Sequence, residues 1–232
     1  MTAARLIQPM VAGSHPAQPD ASTTDALHTC IALLSTVHGY RDGYTVEHED
    51  RVAMLAVGIG TQLGFGAPRL AMLRIAALVH DIGKIAIPAE IIGKSGAYTD
   101  AEYALMKGHC LVSYNILSRL NTTWPIAEIA YQHHERLDGS GYPRGLGGSD
   151  ILLEARILAV ADVYDAMTSV RPYRPGLPRD FVLGELHQMA GHLLDPDAVD
   201  ACRNIALCNL SNAPENPATA SLRPQMSGRQ CT

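Results

Sequence analysis

The sequence is poor in cysteine and offers no cysteine pair at a metal-binding spacing. The count is odd, and no two cysteines have Cys-x-x-Cys spacing. This excludes a disulfide framework and a thiolate zinc site, and we expect free thiols in a reducing cytosol. The cysteines are Cys30, Cys110, Cys202, Cys208 and Cys231.

Basic residues are not in excess. The formal net charge of −5 argues against binding of DNA or RNA polymers, which usually requires a basic balance or patch. It does not exclude a small anionic substrate, because bound metal ions can reverse the local field.

Long apolar runs are also lacking. No apolar run in the sequence approaches the roughly 18 residues of a transmembrane helix. The N-terminus shows no basic segment followed by an apolar one, as a signal peptide would. We therefore expect a soluble, cytoplasmic protein without a membrane segment.

Strand patterns are nearly absent, and helical spacing dominates the middle of the chain. Aromatic residues make up only 5% of the sequence, and small apolar residues are abundant, which favours helices packed on helices. We predict one all-α domain over residues 25–209. Residues 1–24 and 210–232 mix Pro, Ala and Ser without periodicity and are predicted to be flexible tails.

Several local signals place the helices. Apolar residues recur every three or four positions after Thr45, which is a predicted N-cap, and Pro68 suits the first position of the next helix. Thr99 and Glu102 have capping-box spacing. The predicted helices cover residues 25–40, 46–65, 68–80, 99–120, 125–135 and 151–169, with a final pair over 178–207.

Histidines and aspartates fall at the ends and on the faces of these helices. Asp162 is informative because it lies in the apolar stretch "AVADV", where an ionised carboxylate needs a metal ion or a salt bridge. Adjacent histidines rarely both serve packing, since helix neighbours point about 100° apart. The candidate ligands are His48, His80, Asp81, His109, His133, His134 and Asp162.

Each candidate alone also fits a structural role. His48 and His109 suit a solvated helix surface, and His80 with Asp81 suits a buried hydrogen-bonded pair. Taken together, seven ligand-type residues favour a metal centre. Imidazole and carboxylate without thiolate suit iron, manganese, nickel or zinc. One carboxylate can bridge two ions, and two ions about 3.5–4 Å apart can clamp a phosphoryl group.

Three motifs together resemble the HD-GYP family of metal-dependent phosphodiesterases. They are "HDIGK" at 80–84, "HH" at 133–134 and "DGSGYPRGL" at 138–146. The likeness extends over about residues 25–205, through "DGYTVEHEDRVAMLA", "ARILAVADVYDAMTS" and "RPYR". It implies an HD-domain helical bundle, with a Gly-Tyr-Pro loop beside a dinuclear metal site.

The resemblance also implies an activity and roles for particular residues. The implied reaction is hydrolysis of cyclic di-GMP to linear pGpG or GMP by a metal-bridging hydroxide. Two divalent ions are implied, with iron or manganese favoured over nickel or zinc. His48, His80, Asp81 and Asp162 would hold one ion, and Asp81 would bridge to a second ion held by His109, His133 and His134.

The implied catalytic residues are Asp81 and Lys84, and Lys84 would also contact a substrate phosphate. Lys84 alone also fits a solvated lysine, and Tyr142 fits loop architecture better than catalysis. The other implied substrate contacts are Arg171, Arg174 and Asp42, the last of which also suits a turn.

Two departures from the family pattern matter. Tyr44 stands where some members have a Glu ligand for a third ion, and Glu47 would point elsewhere, which predicts a two-metal site. Ser113 replaces a common glycine, a change that should not affect ligation. The alternatives are hydrolysis of another nucleotide, or a non-hydrolysing cyclic di-GMP sensor. A second copy of the chain and signalling proteins are candidate partners.

Overall fold

The computed structural model describes residues 29, 31, 33–34, 36, 43–120, 122–170 and 175–211. Its long helices are α1 (Gly43–Gln62), α2 (Ala67–Val79), α7 (Leu153–Thr168), α8 (Arg179–Met189) and α9 (Pro196–Ser211). The shorter ones are α3 (Ala89–Ile92), α4 (Asp100–Lys107), α5 (His109–Leu117) and α6 (Ile126–Gln132), with 3-10 turns at Ile82–Ala86 and Gly148–Asp150.

The bundle is built around α1, which packs against α2, α7 and α9. Val52, Ala56 and Ile59 are buried on one face of α1, at the three- and four-residue spacing that predicted the helix. On the other side of the core, α6 packs against α2 and α5. The described residues form no named strand, only isolated bridges, and the predicted all-α fold is confirmed.

Several predicted helix boundaries need adjustment. Helix α1 already begins at Gly43, so Thr45 lies inside the helix rather than at its N-cap. Pro68 occupies the second helical position of α2. The capping box of Thr99 and Glu102 is present, but the predicted helix over 99–120 is divided at Gly108 into α4 and α5. The division matters because it places His109 at a helix start.

The polypeptide leaves α2 through a tight turn that holds it against α5. Gly83 lies so close to α5 that a Cβ atom there would overlap the His109 carbonyl oxygen and approach the Ser113 backbone nitrogen. The Ser113 hydroxyl accepts a hydrogen bond from the Gly83 N–H at 2.9 Å and donates one to the His80 carbonyl at 2.8 Å. Ser113 therefore joins two ligand-bearing segments.

No helix within the described part of the chain combines the length and apolar character needed to cross a bilayer. Of the predicted first helix, residues 29, 31, 33–34 and 36 are described, and all of them are helical. Residues 1–24 and 212–232 of the predicted tails lie outside the described residues, but residues 210–211 are helical, because α9 extends to Ser211, two residues into the predicted C-terminal tail.

Replacing Gly83 with alanine should destabilise the domain by about 1–3 kcal/mol, because the new methyl group must displace α5 backbone. Since each kcal/mol shifts the melting temperature of a chain this size by about 2–4 °C, calorimetry can measure the loss. Gly184→Ala is the matched control: Gly184 is helical and exposed, with open space around it, and should gain about 0.5–1 kcal/mol. Equal melting temperatures for the two variants would contradict the packing argument.

Candidate metal centre

All seven predicted ligands converge on one buried region of the bundle. His48 projects from α1 and Asp162 from α7, while His80 and Asp81 follow the end of α2. His109 begins α5, and the adjacent histidines follow α6. Their ligand atoms, together with the Cys110 sulfur, form three overlapping groups, each within 4.8 Å: a first of His48, His80 and Asp162; a second of His109, Cys110, His133 and His134; and a third of His80, Asp81 and His133.

Three of the histidines are oriented by the same local device. The Nδ1 atoms of His80, His109 and His133 lie 2.6–2.7 Å from the carbonyl oxygen three residues earlier. Those carbonyls belong to the last turns of α2, α4 and α6, where helix geometry leaves carbonyls without intrahelical partners. A carbonyl only accepts, so each Nδ1 carries the proton and each Nε2 presents its lone pair to the cluster.

His48 lies within a helix and is oriented by a carboxylate instead. Its Nδ1 lies 2.7 Å from Oδ2 of Asp165, one turn beyond Asp162 on α7. Arg51 holds that carboxylate from the other side, with Nε 2.6 Å from Oδ1. The Nε2 atom of His48 faces Asp162 Oδ1 at 3.3 Å. A carboxylate behind a ligand histidine is a common device for fixing the imidazole at metal sites.

Asp81 lies between the two sides of the cluster and is only 2% exposed. Its Oδ2 is 3.3 Å from His80 Nε2, while its Oδ1 is 3.1 Å from His109 Nε2 and 3.8 Å from His133 Nε2. The two oxygens thus face different histidines. This is the position that a carboxylate bridging two ions requires.

Lys84 brings positive charge to the same carboxylate. Its Nζ lies 2.5 Å from Asp81 Oδ2, and its side chain is 28% exposed. Although burial alone would raise the pKa of Asp81, the positive charge of Lys84 holds that pKa well below its usual range. Asp81 is therefore an anion in the folded protein.

The histidines divide into two electrostatic classes. Burial alone would lower the pKa of His48, but hydrogen bonds to Asp162 and Asp165 raise it to about 9. For His134, in contrast, burial outweighs the nearby Asp162 charge and lowers the pKa to about 3. Burial also lowers the pKa of His133 well below its usual range. His133 and His134 are therefore neutral near pH 7, which is the form that binds metals.

Two polar atoms in the cluster favour occupancy by cations. His80 Nε2 and Asp81 Oδ1 are fully buried and have no hydrogen-bond partner among the described residues. A buried polar group without a partner costs about 1–3 kcal/mol, and more if it is charged. Binding of a divalent ion between these nitrogen and carboxylate donors would give both atoms a partner and remove this cost. The residues present therefore fit a divalent metal ion.

The Gly-Tyr-Pro loop is fastened beside the second group of ligands. The buried carboxylate of Glu135 accepts hydrogen bonds from the backbone N–H groups of Arg144 and Leu146, at 2.8 and 3.0 Å. The Tyr142 N–H donates to the His134 carbonyl, and its ring lies 4.7 Å from the His134 imidazole. Gly141 allows this approach, because a Cβ there would lie 2.5 Å from the His134 carbonyl oxygen.

The remaining predicted site residues have different outcomes. Asp42, Arg171 and Arg174 lie outside the described residues. Glu47 is 79% exposed, and its carboxylate lies 3.7 Å from Arg51, away from the cluster. The side chain of Tyr44 is likewise outside the described part.

Sequence reasoning missed three residues of the site: Asp165, Glu135 and Cys110. Asp165 follows Asp162 by three positions, so helix periodicity alone would have placed both on the same face of α7. Glu135 and Cys110 adjoin predicted ligands in the chain, but only the folded structure shows where their side chains lie.

The chain is similar to known phosphodiesterases over most of its length. The family model described as "HD domain" matches residues 33–198. The chain is 41% identical to the cyclic di-GMP phosphodiesterase of Thermotoga maritima, over 76% of this chain and 49% of that protein. It is 42% identical to the cyclic di-GMP phosphodiesterase response regulator RpfG of Xanthomonas campestris, over 84% of this chain and 52% of that protein. It thus spans about half the length of these curated relatives.

Solved structures agree on the fold. The Bd1817 HDG"Y"P protein of Bdellovibrio bacteriovorus superposes with a TM-score of 0.61 at 19% identity, covering 79% of this chain and 62% of that one. The HD domain of the Listeria monocytogenes phosphodiesterase PgpH gives 0.56 at 16% identity, covering 77% and 97%. Together with the HD and Gly-Tyr-Pro motifs around the cluster, the family match shows that this chain belongs to the HD domain family and is of the HD-GYP type.

Proposed function

We propose that this domain hydrolyses a phosphodiester bond of cyclic di-GMP and depends on divalent metal ions to do so. The observation that carries the proposal is the position of Asp81, whose two oxygens face histidines on opposite sides of a buried cluster. A carboxylate so placed suits a pair of ions, and metal pairs are a recurrent device for phosphodiester hydrolysis. The similarity to two cyclic di-GMP phosphodiesterases supports the substrate.

The proposed division of ligands follows the geometry. His48, His80, Asp81 and Asp162 would hold one ion, and Asp81, His109, His133 and His134 the other. When bound, the ions would supply an activated water and neutralise the phosphate charge. The outward direction of Glu47 supports two ions rather than three. Iron or manganese suits the nitrogen and oxygen donors, with nickel or zinc as rivals.

The protein's own part in the reaction is to orient lone pairs and to supply fixed charge. The helix-end carbonyls hold His80, His109 and His133 in the tautomer that leaves Nε2 free to bind. Lys84 would place its ammonium beside the negative charge that grows on the phosphate, since its Nζ already lies at the Asp81 carboxylate.

The substrate would extend from the cluster towards the Gly-Tyr-Pro loop. Tyr142 lies beside His134, with the half-exposed Tyr103 ring 6.3 Å away. The loop anchored by Glu135 would form one wall of the cleft. Arg171, Arg174 and Asp42 are proposed as further substrate contacts, because arginine can pair with phosphate and stack on guanine.

A second substrate class is favoured by other relatives. The chain is 35% identical to the 3'3'-cGAMP-specific phosphodiesterase 3 of Vibrio cholerae, over 81% of this chain and 41% of that protein. One structurally similar protein, the PgpH HD domain, was solved in complex with cyclic-di-AMP. A turnover panel of cyclic di-GMP, 3'3'-cGAMP and cyclic di-AMP therefore tests the assignment. Tight binding without hydrolysis under iron, manganese and nickel would instead support the sensor alternative.

Replacing Asp81 with asparagine should abolish hydrolysis and lower the bound metal below one ion per chain, because the bridging charge is lost. Metal content is measured by elemental analysis, and products are separated by chromatography into linear dinucleotide and GMP. Asp150→Asn, at an exposed position, is the control and should change neither. Full activity in the Asp81 variant would contradict the proposed metal centre.

Removing the charge of Lys84 should separate catalysis from metal binding. Lys84→Met should lower kcat by about 10²–10³-fold, the usual cost of one donor to transition-state charge, while metal content remains unchanged. Lys94→Met is the control, because it breaks a comparable ion pair with Glu102 remote from the cluster. An unchanged kcat for Lys84→Met would show that Lys84 has no catalytic role.

Asp165 is predicted to be a positioning residue that acts through His48. Asp165→Asn should weaken binding at the His48 position by about 10–100-fold, the range seen for partners behind a ligand. Metal titration followed by calorimetry measures this without substrate. Glu154→Gln, which disrupts the partly buried ion pair with Arg69, should leave metal affinity intact. Equal metal affinities in both variants would speak against the positioning role.

A further inference from the structure

Cys110 belongs to the second group of ligands, although the spacing of the cysteines gave no sign of it. Its side chain is 0% exposed, and its Sγ lies 3.5 Å from Nε2 of His109. Sγ and the ligand nitrogens of His109, His133 and His134 all lie within 4.8 Å of one another. The sulfur thus shares a small volume with three imidazoles.

Two donor–donor distances match those between neighbouring ligands of one ion. Sγ of Cys110 is 3.5 Å from His109 Nε2, and that nitrogen is 3.5 Å from His133 Nε2. Nitrogen and sulfur donors at about 2.0–2.3 Å from a tetrahedral ion lie about 3.3–3.7 Å from one another. Cys110 Sγ and His133 Nε2 are therefore each close enough to His109 Nε2 to share an ion with it.

A separate observation points to a cation at the same place. Asp81 Oδ1 is fully buried, lacks a hydrogen-bond partner among the described residues, and lies 3.1 Å from His109 Nε2. A carboxylate oxygen in this position is a ready ligand for an ion within the His109 group. His109, the imidazole nearest the cysteine sulfur, thus also faces a carboxylate oxygen that has no hydrogen-bond partner among the described residues.

A buried cysteine can instead act as a small apolar residue. Another cysteine of this protein has that role. Cys202 on α9 is also 0% exposed, and it belongs to the contiguous hydrophobic core. Cys110 is buried but is not part of that core cluster. The two cysteines are equally hidden from water, yet only Cys110 has metal-ligand atoms around it among the described residues.

We propose that Cys110 is a thiolate ligand to the metal ion held by His109, His133 and His134. The inference rests on the proposed metal centre, but not on any substrate. On binding, the sulfur gives its proton to solvent and its lone pair to the ion, and no electron changes hands. Burial raises the pKa of the free thiol, but a coordinated cation reverses that preference.

A sulfur donor would make the two metal positions chemically unequal. The first position, with His48, His80 and Asp162, has only nitrogen and oxygen donors. The second would add a soft thiolate, which selects zinc or iron over manganese. Cys110 is thus a determinant of which metal the second position takes.

Cobalt(II) reports a thiolate ligand directly, through a charge-transfer band in the near ultraviolet. The metal-free protein is titrated with cobalt(II), and bound cobalt is counted by elemental analysis. We expect the band in the wild type and in Cys202→Ser, and its complete loss in Cys110→Ser with cobalt still bound. Circular dichroism checks that each variant is folded.

The affinities give a second readout. Loss of a residue that hydrogen-bonds a metal ligand usually lowers metal affinity by about 10–100-fold. Because Cys110→Ser removes a ligand itself, it should lower the affinity for zinc by at least that factor. The affinity for manganese should fall less, since manganese prefers oxygen donors. X-ray absorption of zinc-loaded wild type needs no variant, and it should show a sulfur neighbour at about 2.3 Å.

The outcomes separate this inference from the proposed function. Cobalt bound without the band, a band that persists in Cys110→Ser, or a zinc shell without sulfur would each overturn the thiolate ligand and leave the metal centre standing. A wild-type protein that binds no cobalt and no zinc would overturn both. A band that is present in the wild type and in Cys202→Ser, but absent in Cys110→Ser, would support Cys110 as a thiolate ligand.

Discussion

The site depends on a hydrogen bond that recurs at the ends of three helices. In the last turns of α2, α4 and α6, a backbone carbonyl accepts a hydrogen bond from Nδ1–H of the imidazole three residues later. One bond thus satisfies the helix end, fixes the tautomer and directs Nε2 inwards. Because the three helix ends meet, three lone pairs converge, and the metal-binding geometry follows from the termination of secondary structure.

This convergence concentrates buried charge, and charge explains much of the rest of the site. Asp81, Asp162 and Asp165 are anions held by His48, Lys84 and Arg51, while His133 and His134 remain neutral because burial opposes their protonation. Such an arrangement is costly without a cation, since buried polar atoms are left without partners. Divalent ions would therefore contribute to folding stability as well as to chemistry.

The loop after the adjacent histidines is ordered by packing. Glu135 binds two loop N–H groups, Gly141 allows close contact with the His134 backbone, and Tyr142 covers the His134 ring. The Gly-Tyr-Pro signature is thus a set of steric requirements next to the second group of ligands. A similar requirement explains the glycine of "HDIGK", because Gly83 touches the α5 backbone.

The sequence by itself determined the helical class, most helices, the capping box and the seven candidate ligands, since periodicity and side-chain chemistry are local properties. Only the tertiary structure decided three features: the helix break at Gly108, the hydrogen bonds through the Ser113 hydroxyl, and the contact by which Asp165 orients His48. The same holds for Cys110, whose spacing from the other cysteines excluded a thiolate site while its Sγ lies among the imidazoles. The physical reason is that ligand sets are defined by distance in space, and these atoms come from helices far apart in the chain.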